Sequence, residues 1–162
     1  MASAAPSPHK RLAELGVTLP AAPAPAASYV QTRAVPIGGG RALLYVAGQV
    51  SREGDRLLTG RCPDKVSVEE AARRARVCAI NVLAQIEAAA GLDNVEQLAQ
   101  LIGFVLSADG FGDQPKVMNG ASDFLVDVLG DAGRHSRAAL GTNALPFSVT
   151  VEIAAVAVVR TV

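Results

Sequence analysis

The chain has no tryptophan, only two histidines and only two cysteines, which narrows the chemistry open to it. Cys62 and Cys78 are spaced unlike any zinc or dithiol motif. Cys78 falls in a stretch that reads as helix, where a small buried hydrophobe is expected. His9 and His135 stand far apart in sequence, so no metal site is expected. Four Phe and two Tyr are all the aromatics. Fifteen Lys and Arg balance fifteen Asp and Glu, and no run of like charge stands out. A nucleic-acid binder should carry a basic footprint, so this balance argues against nucleic acid and against an anionic membrane as partners. No stretch reaches the ~18 uninterrupted apolar residues of a membrane helix. The N-terminus, MASAAPSPHKRLAEL, lacks the apolar core of a signal peptide, and a cytoplasmic location is the expectation.

What is present is a globular composition, 50% hydrophobic and 19% charged over 162 residues, enough for one domain with a sizeable core. Residues 1–27 read as an extension. Residues 1–8 are expected to be mobile, with a short helix from His9 to Leu15 and a Pro/Ala-rich run over 18–28 laid along the body. Residues 28–162 read as a single domain. Tyr29–Ile37 and Arg41–Ala47 flank Gly38-Gly39-Gly40, a hairpin signal. A short strand is possible near Asp55–Thr59. Ser67–Ala90 is the clearest helix, opened by a capping box in which Ser67 caps and Glu70 reaches back. Its stripe Ala72, Ala75, Ala79, Val82, Ile86 and Ala90 has helical spacing. Leu98–Ser107 reads as a buried strand and Lys116–Leu129 as a second helix.

The densest polar chemistry lies in the last thirty residues, where Arg134, His135 and Arg137 crowd together ahead of a turn signal at Asn143-Ala144-Leu145-Pro146. Ser148–Val159 follows as a strand rich in Val and Ile. Glu152 sits inside it, where a charge is costly unless it is paired or lies at a cleft. If the turn closes a hairpin, Arg137 comes from the adjacent strand and is the simplest partner. The order is then an α+β sandwich, with two helices on one face of the sheet. The last strand is apolar on both faces, so the uncovered face calls for a second subunit, and the expectation is an obligate homo-oligomer with sites at the seams.

These features resemble the RidA/YjgF family of reactive-intermediate deaminases, often labelled endoribonuclease L-PSP, in its longer branch with an N-terminal helix. The resemblance is carried by Tyr29-Val30-Gln31, by Leu44-Tyr45-Val46-Ala47-Gly48-Gln49, and by Gly103-Phe104-Val105. The run Gln114–Asp123 (QPKVMNGASD), Arg134-His135-Ser136-Arg137, Leu145-Pro146 and Val151-Glu152-Ile153 complete it. It implies a chorismate-mutase-like α+β fold, with a mixed sheet forming a trimeric barrel and three clefts between subunits. The implied reaction is hydrolysis of a small 2-imino acid, or an enamine such as 2-aminoacrylate, to the 2-keto acid and ammonia, with no metal or organic cofactor. At matching positions Arg137 would anchor the substrate carboxylate and Glu152 would orient water or carry protons. Tyr29 would line the cleft, or serve only as a packed interface ring. Asn119 would lie near the site, and backbone groups around Gly48 would complete the pocket. Arg134 and His135 would either rim the cleft, with His135 a candidate general base, or stand as solvated loop residues, which is the default expectation. One departure stands out: the family often has Cys two residues after the arginine, where this chain has Ala139. A non-catalytic trimer that binds small carboxylates is the competing expectation.

Overall fold

A computed structural model describes residues 6–25 and 27–161; most of the N-terminal stretch expected to be mobile lies outside them. Ser7 caps a short first helix, α1 (Pro8–Glu14), by accepting the Lys10 N–H, with Pro in its first turn. From Val17 to Pro25 the chain forms no helix or strand and is tied down where Gln85 Nε2 donates to Pro23 O over 2.8 Å. Strands β1 (Thr32–Gly38) and β2 (Arg41–Val50) form the expected antiparallel hairpin. The possible third strand is a small two-stranded ribbon, β3 (Arg52–Glu53) and β4 (Arg56–Leu57), turning at Gly54.

Helix α2 (Val68–Ala90) begins where the sequence says it should, with Ser67 Oγ accepting the Glu70 N–H at 3.1 Å. Only half of the capping box forms. The Glu70 carboxylate takes Arg73 and Arg74 instead, at 2.9 and 2.8 Å, because a guanidinium is a stronger donor than a backbone amide. Ala75, Ala79, Val82 and Ile86 are fully buried as a stripe; Ala72 lies at its edge. Strand β5 (Val95–Leu106) starts earlier than Leu98. Helix α3 (Gln114–Leu129) follows, then β6 (Ser136–Thr142) and β7 (Val151–Arg160).

The sheet order is β1-β2-β7-β5-β6, so the C-terminal hairpin expected from the turn signal does not form. β6 lies parallel to β5, with α3 as the crossover between them, and β7 inserts antiparallel between β2 and β5. The cause lies in β7 itself. A strand apolar on both faces gains most at the centre of a sheet, where both of its backbone edges are also paired. Val151, Ile153, Ala155, Ala157 and Val159 face the helices and are buried.

α2 and α3 cover that face and α1 packs against α3, leaving the other face of the sheet bare. Tyr45 and Leu140 are 46% and 47% exposed there, beside Leu43, Val156, Ile102 and Phe104. The helix layer is tight. A Cβ on Gly120 of α3 would stand 2.0 Å from the carbonyl oxygen of Ala72 in α2. Gly120→Ala should therefore destabilise the protein by about 2 kcal/mol, the overpacking cost outweighing a helix-propensity gain of up to about 1 kcal/mol. Equilibrium urea denaturation checks this, and unchanged or raised stability would show that the two helices separate freely.

Candidate functional site

Arg137 is the second residue of β6. Its parallel partner Leu101 is fully buried on the helix-covered face, so the guanidinium is directed under the N-terminal half of α3. There α3 supplies three acceptors. Nη1 donates to Asn119 Oδ1 at 3.0 Å and to Ser122 Oγ at 2.9 Å, and Nη2 donates to Pro115 O at 3.2 Å. Of the five N–H groups of a guanidinium, Nε–H and one Nη2–H have no hydrogen-bond partner among the described residues, nor does a carboxylate pair with Arg137 there. These two donors sit on neighbouring nitrogens of one planar group that is only partly buried. Asn119 thus touches Arg137 directly, and so do Ser122 and the Pro115 carbonyl, which lie in the Gln114–Asp123 run but had no role assigned from the sequence.

Of the two expectations for His135, the structure has it at the rim of a cavity and not as a fully solvated loop residue. It is half-buried, with Nδ1 2.6 Å from Gly133 O and Nε2 3.0 Å from Ser122 Oγ. Burial lowers its pKa, the Gly133 hydrogen bond opposes the shift, and the Arg137 charge adds to it. Its partner in the network, Ser122, lies on α3, and no spacing rule links residues 122 and 135 before the fold does. Arg134 matches its expectation: it is exposed and pairs with Asp131 at 3.0 Å. Ser122, Asp123, Val126, Arg134, His135 and Arg137 line an open cavity of about 280 Å³.

Glu152 lies elsewhere. It is level with Val50 and Phe104 and points to the bare face, since Val151 and Ile153 on either side face the helices. Its carboxylate lies across Gly48, at a register shift in β2. A Cβ at Gly48 would stand 2.0 Å from Glu152 Oε1, so any side chain there would displace the carboxylate. Burial raises the Glu152 pKa above its ordinary 4.5. Tyr29 stands at the same end of the sheet. The Ala47 N–H donates to Gln31 O at 2.9 Å, and Gln49 Nε2 donates to Gln31 Oε1 at 2.9 Å, which holds the segment carrying Tyr29 beside the Gly48 bulge.

The ion pair expected between Arg137 and Glu152 is therefore absent. β5 separates their strands, Arg137 is level with Leu101 and Glu152 with Phe104, and the two side chains leave opposite faces of the sheet. The candidate residues fall into two groups: Arg137 with Asn119 under α3, and Glu152 with Gly48 and Tyr29 at one end of the bare face. Ala139 shares the helix-facing side of β6 with Arg137 and packs partly buried against the core. Cys62 and Cys78 are fully buried, and burial raises both thiol pKa values, so neither is a poised nucleophile. Among the described residues no three His, Cys, Asp or Glu side chains cluster as metal ligands, and no helix is long and apolar enough to cross a membrane.

Comparison with known proteins places this architecture. A family model described as "YjgF/chorismate_mutase-like, putative endoribonuclease" matches residues 9–157. Protein TCP17 of Trypanosoma cruzi is 40% identical over 145 residues, 88% of each chain. The crystal structure of Atu1372 from Agrobacterium tumefaciens, a protein of unknown function, is 41% identical with a TM-score of 0.81, covering 94% of this chain and 91% of that one. E. coli TdcF, solved with bound serine, is 26% identical with a TM-score of 0.54, covering 86% of this chain and 94% of its own. The mixed sheet with its helices on one face and the near-complete match to the family model lead to one conclusion: the chain belongs to the RidA/YjgF family.

Proposed function

We propose that the protein is a hydrolytic deaminase of small 2-imino acids, or of enamines such as 2-aminoacrylate, and releases the 2-keto acid and ammonia. The observation that carries this reading is the partly engaged guanidinium of Arg137. Three of its donors are spent on α3, which fixes the plane, and Nε–H with one Nη2–H is left to meet a carboxylate. The serine bound to E. coli TdcF is a small amino acid, and a 2-imino acid likewise carries its carboxylate beside a carbon bonded to nitrogen.

One subunit holds only part of the machinery this chemistry needs. The bare apolar face suits a partner copy, and the reading takes it as the inner wall of a homotrimer. Each cleft then draws Arg137 and Asn119 from one subunit, and Glu152, Gly48 and Tyr29 from the next. Water adds to the imine carbon, the nitrogen gains a proton, and the resulting carbinolamine collapses to the keto acid as ammonia leaves. A carboxyl with a raised pKa keeps its proton at a pH where an ordinary one has lost it, which suits Glu152 to proton transfer at the nitrogen. The hydrolysis needs no metal or organic cofactor. A second reading, a trimer that binds small carboxylates without turnover, is favoured by Ala139, whose methyl beside the anchor offers no titratable group. A ribonuclease reading runs against the balanced charge.

Ammonia and keto-acid release from freshly generated 2-aminoacrylate distinguishes these readings. The protein should accelerate release, and Arg137→Ala should lose at least ~100-fold of that acceleration, the order expected when a positioning contact is removed. Binding of small carboxylates without acceleration would favour the second reading. Mixing Arg137→Ala with Glu152→Gln subunits, each inactive alone, should restore activity in up to about a quarter of the clefts under random trimer assembly. No recovery after verified subunit exchange would place both residues in the same subunit's site.

Stability should also depend on Glu152. Its folded-state pKa is raised, so its charge opposes folding once pH exceeds that value, and the penalty fades as pH falls toward the unfolded value near 4.5. Glu152→Gln should therefore be more stable than the native protein at pH 7, with the gain vanishing toward about pH 4 in denaturation experiments. A gain independent of pH would attribute it to packing instead.

A further inference from the structure

The hydrogen bonds that hold Arg137 continue through Ser122 to a histidine that plays no part in the reaction proposed above. A carbonyl oxygen only accepts, so the 2.6 Å contact with Gly133 O puts the proton of the neutral His135 ring on Nδ1. Nε2 is then an acceptor, and the Ser122 hydroxyl donates to it over 3.0 Å. With its hydrogen committed, Ser122 Oγ turns its lone pairs to Arg137 Nη1–H, 2.9 Å away. Each proton in this chain has one consistent placement.

We infer that His135 is a positioning residue for the anchor: its neutral imidazole, acting through Ser122, sets the Arg137 guanidinium for a carboxylate, and protonation of that ring undoes the setting. The inference rests on Arg137 being the carboxylate anchor. A protonated ring would carry a hydrogen on Nε2 and donate to Ser122 Oγ, so the serine hydrogen would have to turn away. The oxygen would then face two cationic donors, with imidazolium and guanidinium only two hydrogen bonds apart.

Three elements present groups to the ring. β6 brings Arg137. α3 brings Ser122, Asp123 and Val126. The turn after α3 brings the Gly133 carbonyl and Arg134, the latter already paired with Asp131. With Arg134 spent on Asp131, the cavity keeps one carboxylate, Asp123, and one further cation, Arg137, and it is the Arg137 charge that acts on the ring. Burial and that charge hold the ring below its ordinary pKa of 6.5, so the neutral form prevails at pH 7 and the change falls in the acid range.

The test is pyruvate binding by calorimetry between about pH 5 and pH 8, where the pyruvate carboxyl stays ionised. Nitrogen NMR of the His135 ring and the Arg137 guanidinium runs beside it. Affinity should fall roughly tenfold at the acid end, where displacement of the guanidinium outweighs the attraction of a second cation for the carboxylate. The fall should share its midpoint with His135 protonation and with a shift of the Arg137 Nε signal. His135→Gln keeps an acceptor near the Nε2 position but cannot titrate, and should show a flat profile. His135→Ala should bind weakly at every pH. Native and His135→Gln profiles that fall together would overturn the inference, as would His135 protonation that leaves Arg137 unmoved. If pyruvate does not bind at all, the anchor reading fails. The NMR result then decides the relay alone: a shared midpoint upholds it and separate behaviour ends it.

Discussion

The structure depends on the central placement of β7, a strand apolar on both faces. Its helix side alternates Val, Ile and Ala without a gap, and its other side carries Ala154, Val156 and Val158. A strand of that composition is costly at an edge, where one backbone row and one apolar face would meet water. The central position meets the backbone demand, since β2 and β5 pair with it on either side. α2 and α3 cover one face. The remaining face stays open within the single chain, and the homotrimer proposed above would cover it.

That arrangement also explains where the polar residues fall. Glu152 is the only charge on β7 before its final residue, and it lies at the Gly48 bulge, where β2 breaks its register and presents backbone in place of a side chain. Arg137 lies at the far edge of the sheet, under α3. An edge strand and a bulged strand end are the places in this sheet where polar chemistry costs the core least. Separating Arg137 from Glu152 also keeps them from neutralising each other within one subunit, so the arginine retains free donors.

Much of this was legible from local signals. Ser67 announced the start of α2, Gly38-Gly39-Gly40 the first hairpin, and the two-faced strand the bare sheet face, because each is governed by neighbours in sequence or by simple periodicity. The family resemblance supplied the candidate residues. The sheet order was not legible, because a turn signal fixes a change of direction and not the strand that comes to lie alongside. Asn143–Pro146 is a real turn, yet β6 pairs with β5, a segment thirty-odd residues upstream. The pairing assumed for Arg137 and Glu152 failed for that reason. The surroundings of His135 are not legible for a related reason: they are made by Ser122 on α3 and the Gly133 carbonyl, which reach it only through the crossover.

Gly120 sits in α3 between Asn119 and Ser122, the two side chains that grip the Arg137 guanidinium. The spacing between the two helices is therefore also the spacing that aligns the Arg137 guanidinium. Thickening the layer between α2 and α3 would translate α3 across the sheet and carry Asn119 and Ser122 with it. Efforts to stabilise the fold by enlarging side chains in that layer would therefore also shift the acceptors that hold Arg137, and with them the carboxylate site proposed above.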